Sequence, residues 1–148
     1  MADIDEMIKQ EWRDLGFYYE LEENNDFKQW RFYGSKQGLF NFINLLEIYA
    51  ANKSNDYISK HEHYGPYNYL KIMTWNKPEI TENCFAGTIA DLNDLKGIVA
   101  RKLDVTGVGQ TFVIGKEYGE GNTANARFFV MADDFDPVSM DDNYNESC

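Results

Sequence analysis

The chain has 148 residues, 43% of them hydrophobic and 16% aromatic. It is long enough to bury a core without disulfide or metal staples, and too apolar to remain disordered. With 25 acidic against 14 basic residues the formal net charge is -11, which argues against a nucleic-acid backbone or an anionic membrane as partner and suits a basic protein surface.

Asp3 to Asp14 sets Ile4, Met7, Ile8 and Trp12, with Leu15 just beyond, at helical spacing, with Asp3 and Glu6 in the form of a capping box. A short amphipathic helix is expected there, stopped by Gly16. Phe17, Tyr19 and Leu21 then alternate with Tyr18, Glu20 and Glu22, the period of a half-buried strand. Glu23 to Asp26 is turn-like, and Phe27 to Tyr33 reads as the second strand of a hairpin, with Trp30 and Phe32 on one face.

Ser35 is placed to cap a helix whose Leu39, Phe40, Phe42, Ile43, Leu45, Leu46, Ile48 and Tyr49 make a wide apolar surface. A polar loop through Asn55 leads to the His-rich stretch. Tyr67 to Trp75 reads as a central strand with apolar groups on both faces, and Ile80 to Gly87 as its antiparallel partner across the Pro78 turn. Thr88 and Asp91 are placed to cap a helix with Leu92, Leu95, Ile98, Val99 and Leu103 on one face. Gly97 inside that helix costs about 1 kcal/mol relative to Ala, a cost that close packing on the sheet would justify. Gly107 and Gly109 form a turn, and strands at Gln110 to Lys116 and Ala126 to Ala132 flank a Gly-rich hairpin loop.

The fold class expected from this order is α+β, a mainly antiparallel sheet of about six strands with two helices packed on one face, plus the short N-terminal helix. Residues 1–132 are expected to form a single domain. Residues 133–148 carry Asp133, Asp134, Asp136, Asp141, Asp142 and Glu146 with no base, the composition of an acidic, disordered C-terminal tail in which Phe135 and Val138 alone offer packing. Cys84 and Cys148 are the only cysteines, and Cys148 is the last residue, where order is least expected, so no structural disulfide is expected. The opening Met1 to Met7 lacks a basic segment followed by an apolar one, and no run of about 18 apolar residues occurs, so a cytoplasmic chain without membrane association is expected.

Chemistry concentrates between Ser59 and Trp75. His61 and His63 bracket Glu62 at a spacing that turns two imidazoles to one side of an extended segment, an arrangement suited to a transition metal or to general acid or base work beside Tyr64 or Tyr67. No third ligand, nucleophile or phosphate cradle accompanies them, so no catalytic residue, metal ligand or cofactor is assigned. Tyr64, Tyr67 and Tyr69 around the Gly65-Pro66 turn are instead the amphipathic side chains favoured at protein interfaces. The expected binding residues are therefore His61, Glu62, His63, Tyr64, Tyr67 and Tyr69.

Gly34-Ser-Lys-Gln-Gly38-Leu-Phe40, Glu62-His-Tyr-Gly-Pro-Tyr67-Asn-Tyr-Leu-Lys-Ile-Met-Thr-Trp75, Ala90-Asp-Leu92 and Asp134-Phe-Asp-Pro137 together resemble a set of small bacterial α+β proteins similar to the immunity proteins of polymorphic toxin systems. The resemblance covers roughly residues 30 to 137 and carries over no catalytic residue. It implies a non-enzymatic protein-binding module, an immunity-type inhibitor of a basic toxin domain. The alternative is a small metal-binding or hydrolytic enzyme using His61 and His63.

Overall fold

Helix α1 (Ile4–Leu15) opens the computed structural model, which describes residues 4–23 and 28–143. Trp12 and Leu15 are buried, Ile8 is half-buried and Met7 is exposed, so the apolar stripe faces inward along its C-terminal half. The helix ends at Gly16, whose φ of +89° is left-handed. A side chain at Gly38, in the first turn of the next helix, would collide with the Gly16 carbonyl. Two glycines thus let α1 leave directly against the start of α2.

Strands β1 (Tyr18–Glu23) and β2 (Lys28–Gly34) pair antiparallel, Tyr18 opposite Tyr33 and Leu21 opposite Trp30, as their alternation predicts. Asp3, the turn residues Asn24 to Asp26, and Phe27 lie outside the described residues. In α2 (Lys36–Ala51) the Ser35 hydroxyl accepts from Gly38 N at 3.0 Å. Leu39, Phe42, Ile43, Leu46 and Tyr49 are buried, whereas Phe40 and Ile48 at the edges of the apolar surface face solvent.

The later elements are β3 (His61–Tyr64), β4 (Leu70–Thr74), β5 (Glu79–Ile80), β6 (Phe85–Gly87), α3 (Ile89–Val105), β7 (Thr111–Ile114) and β8 (Asn125–Val130). They complete two four-stranded sheets, in the orders β1-β2-β8-β7 and β3-β4-β6-β5. In each the outer pairs are antiparallel and the central pair is parallel. One mainly antiparallel sheet of about six strands is therefore corrected to two mixed sheets within an α+β fold.

The reason lies between Thr74 and Phe85. The Thr81 hydroxyl accepts from Asn83 N and Cys84 N at 3.0 and 3.1 Å and makes a turn inside the stretch expected to be one strand. Two reversals, one at Pro78 and one here, leave β6 parallel to β4, with β5 antiparallel beside it. Strand β4 is central, as expected, but it starts at Leu70: Tyr67 and Asn68 have φ of +66° and +57° and belong to a short 3-10 turn, Pro66–Asn68.

Both sheets share one aromatic core. Phe42 of α2 stands 5.1 Å from Phe32 of β2, 5.5 Å from Phe85 of β6 and 5.5 Å from Phe128 of β8, ring centre to ring centre. Helix α2 packs on β2 and β8, α3 on β6 and β7, and the two helices on each other. Thr88 and Asp91 form the expected capping box at the start of α3, with both hydrogen bonds at 3.0 Å. Gly97 does not meet the sheet: a methyl group there would approach only the Arg101 guanidinium, at 3.2 Å.

The acidic stretch expected to begin a disordered tail at Asp133 instead packs as far as Asn143, and Tyr144 to Cys148 lie outside the described residues. A 3-10 turn, Pro137–Met140, buries Val138, and Asp136 pairs with Arg13 of α1 at 3.0 Å. Among the described residues no helix is long and apolar enough to cross a membrane.

Candidate functional site

The Gly65-Pro66 turn lies on β1, the edge strand of the first sheet. A side chain at Gly65, whose φ is +76°, would stand 2.9 Å from the Tyr19 ring. The Tyr19 hydroxyl donates to Pro66 O and accepts from Tyr69 N at 3.2 Å. Burial, working against the main-chain N–H groups of Tyr69 and Leu70, pushes the pKa of this hydroxyl up to about 12. The left-handed pair Tyr67-Asn68 then turns the Tyr67 ring back towards α1, 6.3 Å from Trp12.

Asp141 receives both aromatic donors. Trp12 Nε1 donates to its Oδ2 at 2.8 Å and Tyr67 Oη donates to the same oxygen at 2.7 Å, while Asn143 N donates to Oδ1 at 3.0 Å. The residue is only 5% exposed. Its three donors are neutral, so the hydrogen bonds hold the carboxylate in place without cancelling its charge.

Around this anchor opens a cleft of about 560 Å³ walled by Trp12, Tyr18, Tyr19, Trp30, Tyr67 and Tyr69. Glu20, Glu82, Asp141 and Asp142 supply its carboxylates. Glu82 is paired with Lys28 at 3.3 Å and accepts from Thr123 at 3.1 Å. Glu20, Asp141 and Asp142 make no ion pair among the described residues. Their field is felt at the Tyr18 hydroxyl, which burial first and then Glu20, Asp141 and Asp142 raise to about 12.

No family model, curated protein or solved structure matches this chain.

The six residues expected to bind divide between two neighbouring places. Tyr67 and Tyr69 line the cleft, their rings 6.1 Å apart. His61, Glu62 and His63 stand exposed on β3, the edge of the second sheet, with the imidazole centres 5.2 Å apart. Each His Nδ1 faces a main-chain carbonyl, Ser59 O at 3.0 Å and Asn68 O at 2.9 Å. A carbonyl only accepts, so each of these contacts requires the proton on Nδ1, and no hydrogen bond engages either Nε2 among the described residues. Among the described residues no group of three or more His, Cys, Asp or Glu is arranged to hold a metal.

Tyr64 is half-buried against the core instead, its hydroxyl raised to about 12 by burial first and then by Glu62 and Tyr49. Cys84 is buried and unpaired, and burial pushes its thiol up, the opposite of what a nucleophilic cysteine needs.

Sequence reasoning missed Trp12, Tyr18, Tyr19, Glu20, Trp30, Glu82, Asp141 and Asp142 as site residues. The one local signal was Tyr18 and Glu20 on the outer face of β1, an aromatic beside an acid on an edge strand. Asp141 offered none, because its aromatic partners Trp12 and Tyr67 lie far away in the chain.

Proposed function

We propose that the chain is a non-enzymatic protein-binding module for a basic partner, of the kind an immunity-type inhibitor of a basic toxin domain represents. What carries this reading is the surface running from Tyr57 to Tyr69. Tyr57 is 72% exposed and Ile58 56%, and they lead into the edge strand β3 with its exposed His61, Glu62 and His63, while Tyr69, 70% exposed, lines the neighbouring cleft. Large aromatic and apolar groups held beside an unpaired strand edge offer both side-chain anchors and main-chain hydrogen bonds to an incoming chain. The net charge of -11 speeds encounter with a basic partner and rejects acidic ones.

The test is the affinity for a basic toxin domain taken from an adjacent gene, measured by surface plasmon resonance over a salt series. Binding that weakens with salt, and falls at least tenfold in Tyr57→Ala and Ile58→Ala proteins of unchanged circular dichroism, supports the module. Absence of binding, or binding indifferent to both substitutions, removes it.

A further inference from the structure

The cleft between β1, the Gly65-Pro66 turn and the Asp141 segment contains more negative charge than the protein neutralises. Among the described residues Asp141, 5% exposed, meets only neutral donors, and Asp142 and Glu20 make no ion pair, although Glu20 lies opposite Arg31 across the β1–β2 pair. A buried carboxylate without a countercharge is costly, and the cost is relieved when a cation enters beside it. The surrounding walls are aromatic: Tyr18, Tyr67 and Tyr69 present accessible faces that attract a cation through the ring quadrupole, backed by the buried Trp12, Tyr19 and Trp30. Trp12, Tyr18 and Tyr19 are already clustered, with Trp12 centred 4.8 and 5.3 Å from the two tyrosine rings.

We infer that this cleft is a subsite for a guanidinium group presented on a peptide chain, an arginine of the basic partner proposed above, so the inference rests on that reading. Guanidinium fits better than ammonium on two counts. It is flat and weakly hydrated, so it stacks on an exposed ring face such as that of Tyr69, 70% exposed, and its fork of donors matches carboxylates arriving from two sides. Glu20 on β1 and Asp142 after the 3-10 turn stand on different elements around the same cleft. At about 560 Å³ the space exceeds a side-chain head, leaving room for the adjoining main chain beside the edge of β1.

Titration followed by ¹H–¹⁵N NMR of the tryptophan indoles tests this directly. Trp12 and Trp30 line the cleft and Trp75 does not, so the molecule contains its own control. The probe is the capped pentapeptide Gly-Gly-Arg-Gly-Gly, compared with its citrulline isostere and with free agmatine. Saturable movement of the Trp12 and Trp30 signals, with Trp75 still, is expected from the arginine peptide. The citrulline peptide should bind at least tenfold more weakly, and Glu20→Gln and Asp142→Asn should each weaken arginine binding at least threefold.

No saturable movement up to about 50 mM peptide overturns the subsite, as does equal binding of the citrulline peptide. Agmatine binding more than tenfold tighter than the peptide overturns the assignment to a protein-borne arginine. If the basic protein binds at the Tyr57 to Tyr69 surface but the arginine peptide moves nothing, the subsite falls and the module stands. If the peptide binds and no basic protein does, the subsite stands and the module falls.

Discussion

The Trp12 indole donates to Asp141 across 129 positions of sequence, at 2.8 Å, with both residues buried. This bond and the one from Tyr67 tie the acidic C-terminal stretch to α1 and to the turn before β4. Asp141→Ala strands two donors in an aromatic surrounding and should cost about 2–3 kcal/mol. The check is the urea unfolding midpoint at constant slope. Truncation after Ala132 removes the same acceptor together with Val138 and the Arg13–Asp136 pair and should destabilise at least as much. A truncated chain as stable as the full one would mean the stretch is the solvated tail that its composition suggested.

Helix α3 carries two residues whose replacement by alanine should move stability in opposite directions. Thr88→Ala removes one half of the capping box and should cost about 1 kcal/mol. Gly97→Ala adds a methyl group that meets only the mobile end of Arg101, at 3.2 Å. It should gain about 0.5–1 kcal/mol and raise Tm by about 2–3 °C. Thermal unfolding followed by circular dichroism distinguishes both signs, and a destabilising Gly97→Ala would show that the glycine serves a contact absent from this fold.

Caps and alternation, which are written within a few residues, were legible in the sequence. Ser35, the Thr88–Asp91 pair and the hairpins β1-β2 and β7-β8 all declare themselves locally. The parallel pairs were not, because β2 against β8 is settled by distant burial, with Phe32 stacked on Phe128 at 4.7 Å. A hydroxyl-made turn at Thr81 was hidden in a run that resembled a strand. The cleft was half legible for the same reason: Tyr67 and Tyr69 stood out beside a Gly-Pro turn, while Trp12 read as a helix core position and Asp141 as tail, and only their meeting makes a site.

Alkaline pH should unfold the protein through its tyrosines. Burial raises the hydroxyls of Tyr18, Tyr19 and Tyr64 to about 12, and raises that of Tyr118, which donates to Ala86 O at 2.6 Å, further still. In the unfolded chain they ionise near the ordinary value of about 10. Above that pH the native state holds more protons than the unfolded one, so stability falls as pH rises. The contribution is present in full below about 10 and is lost as pH climbs towards the folded values. Urea midpoints should hold level between pH 8 and about 9 and drop by pH 11. Tyrosinate absorbance at pH 11 should rise further when urea is added; a native chain already fully ionised there would contradict the burial.

Tyr67 offers a test of the backbone at the mouth of the cleft. At φ of +66° and ψ of -4° an L-residue is strained by about 1–2 kcal/mol. Tyr67→Ala and Tyr67→Gly both delete the ring, its contact with Trp12 and the hydrogen bond to Asp141, so those losses are common to the two variants. They differ in the backbone: alanine keeps the strain, and glycine releases it at the expense of a more flexible unfolded chain. In ordinary right-handed or extended backbone, alanine is the better replacement. Here Tyr67→Gly should be the more stable of the two by about 1 kcal/mol, read as the difference between their urea midpoints at equal slope. If alanine were better tolerated, the turn would not hold Tyr67 left-handed, and the ring would lose the geometry that aims its hydroxyl at Asp141.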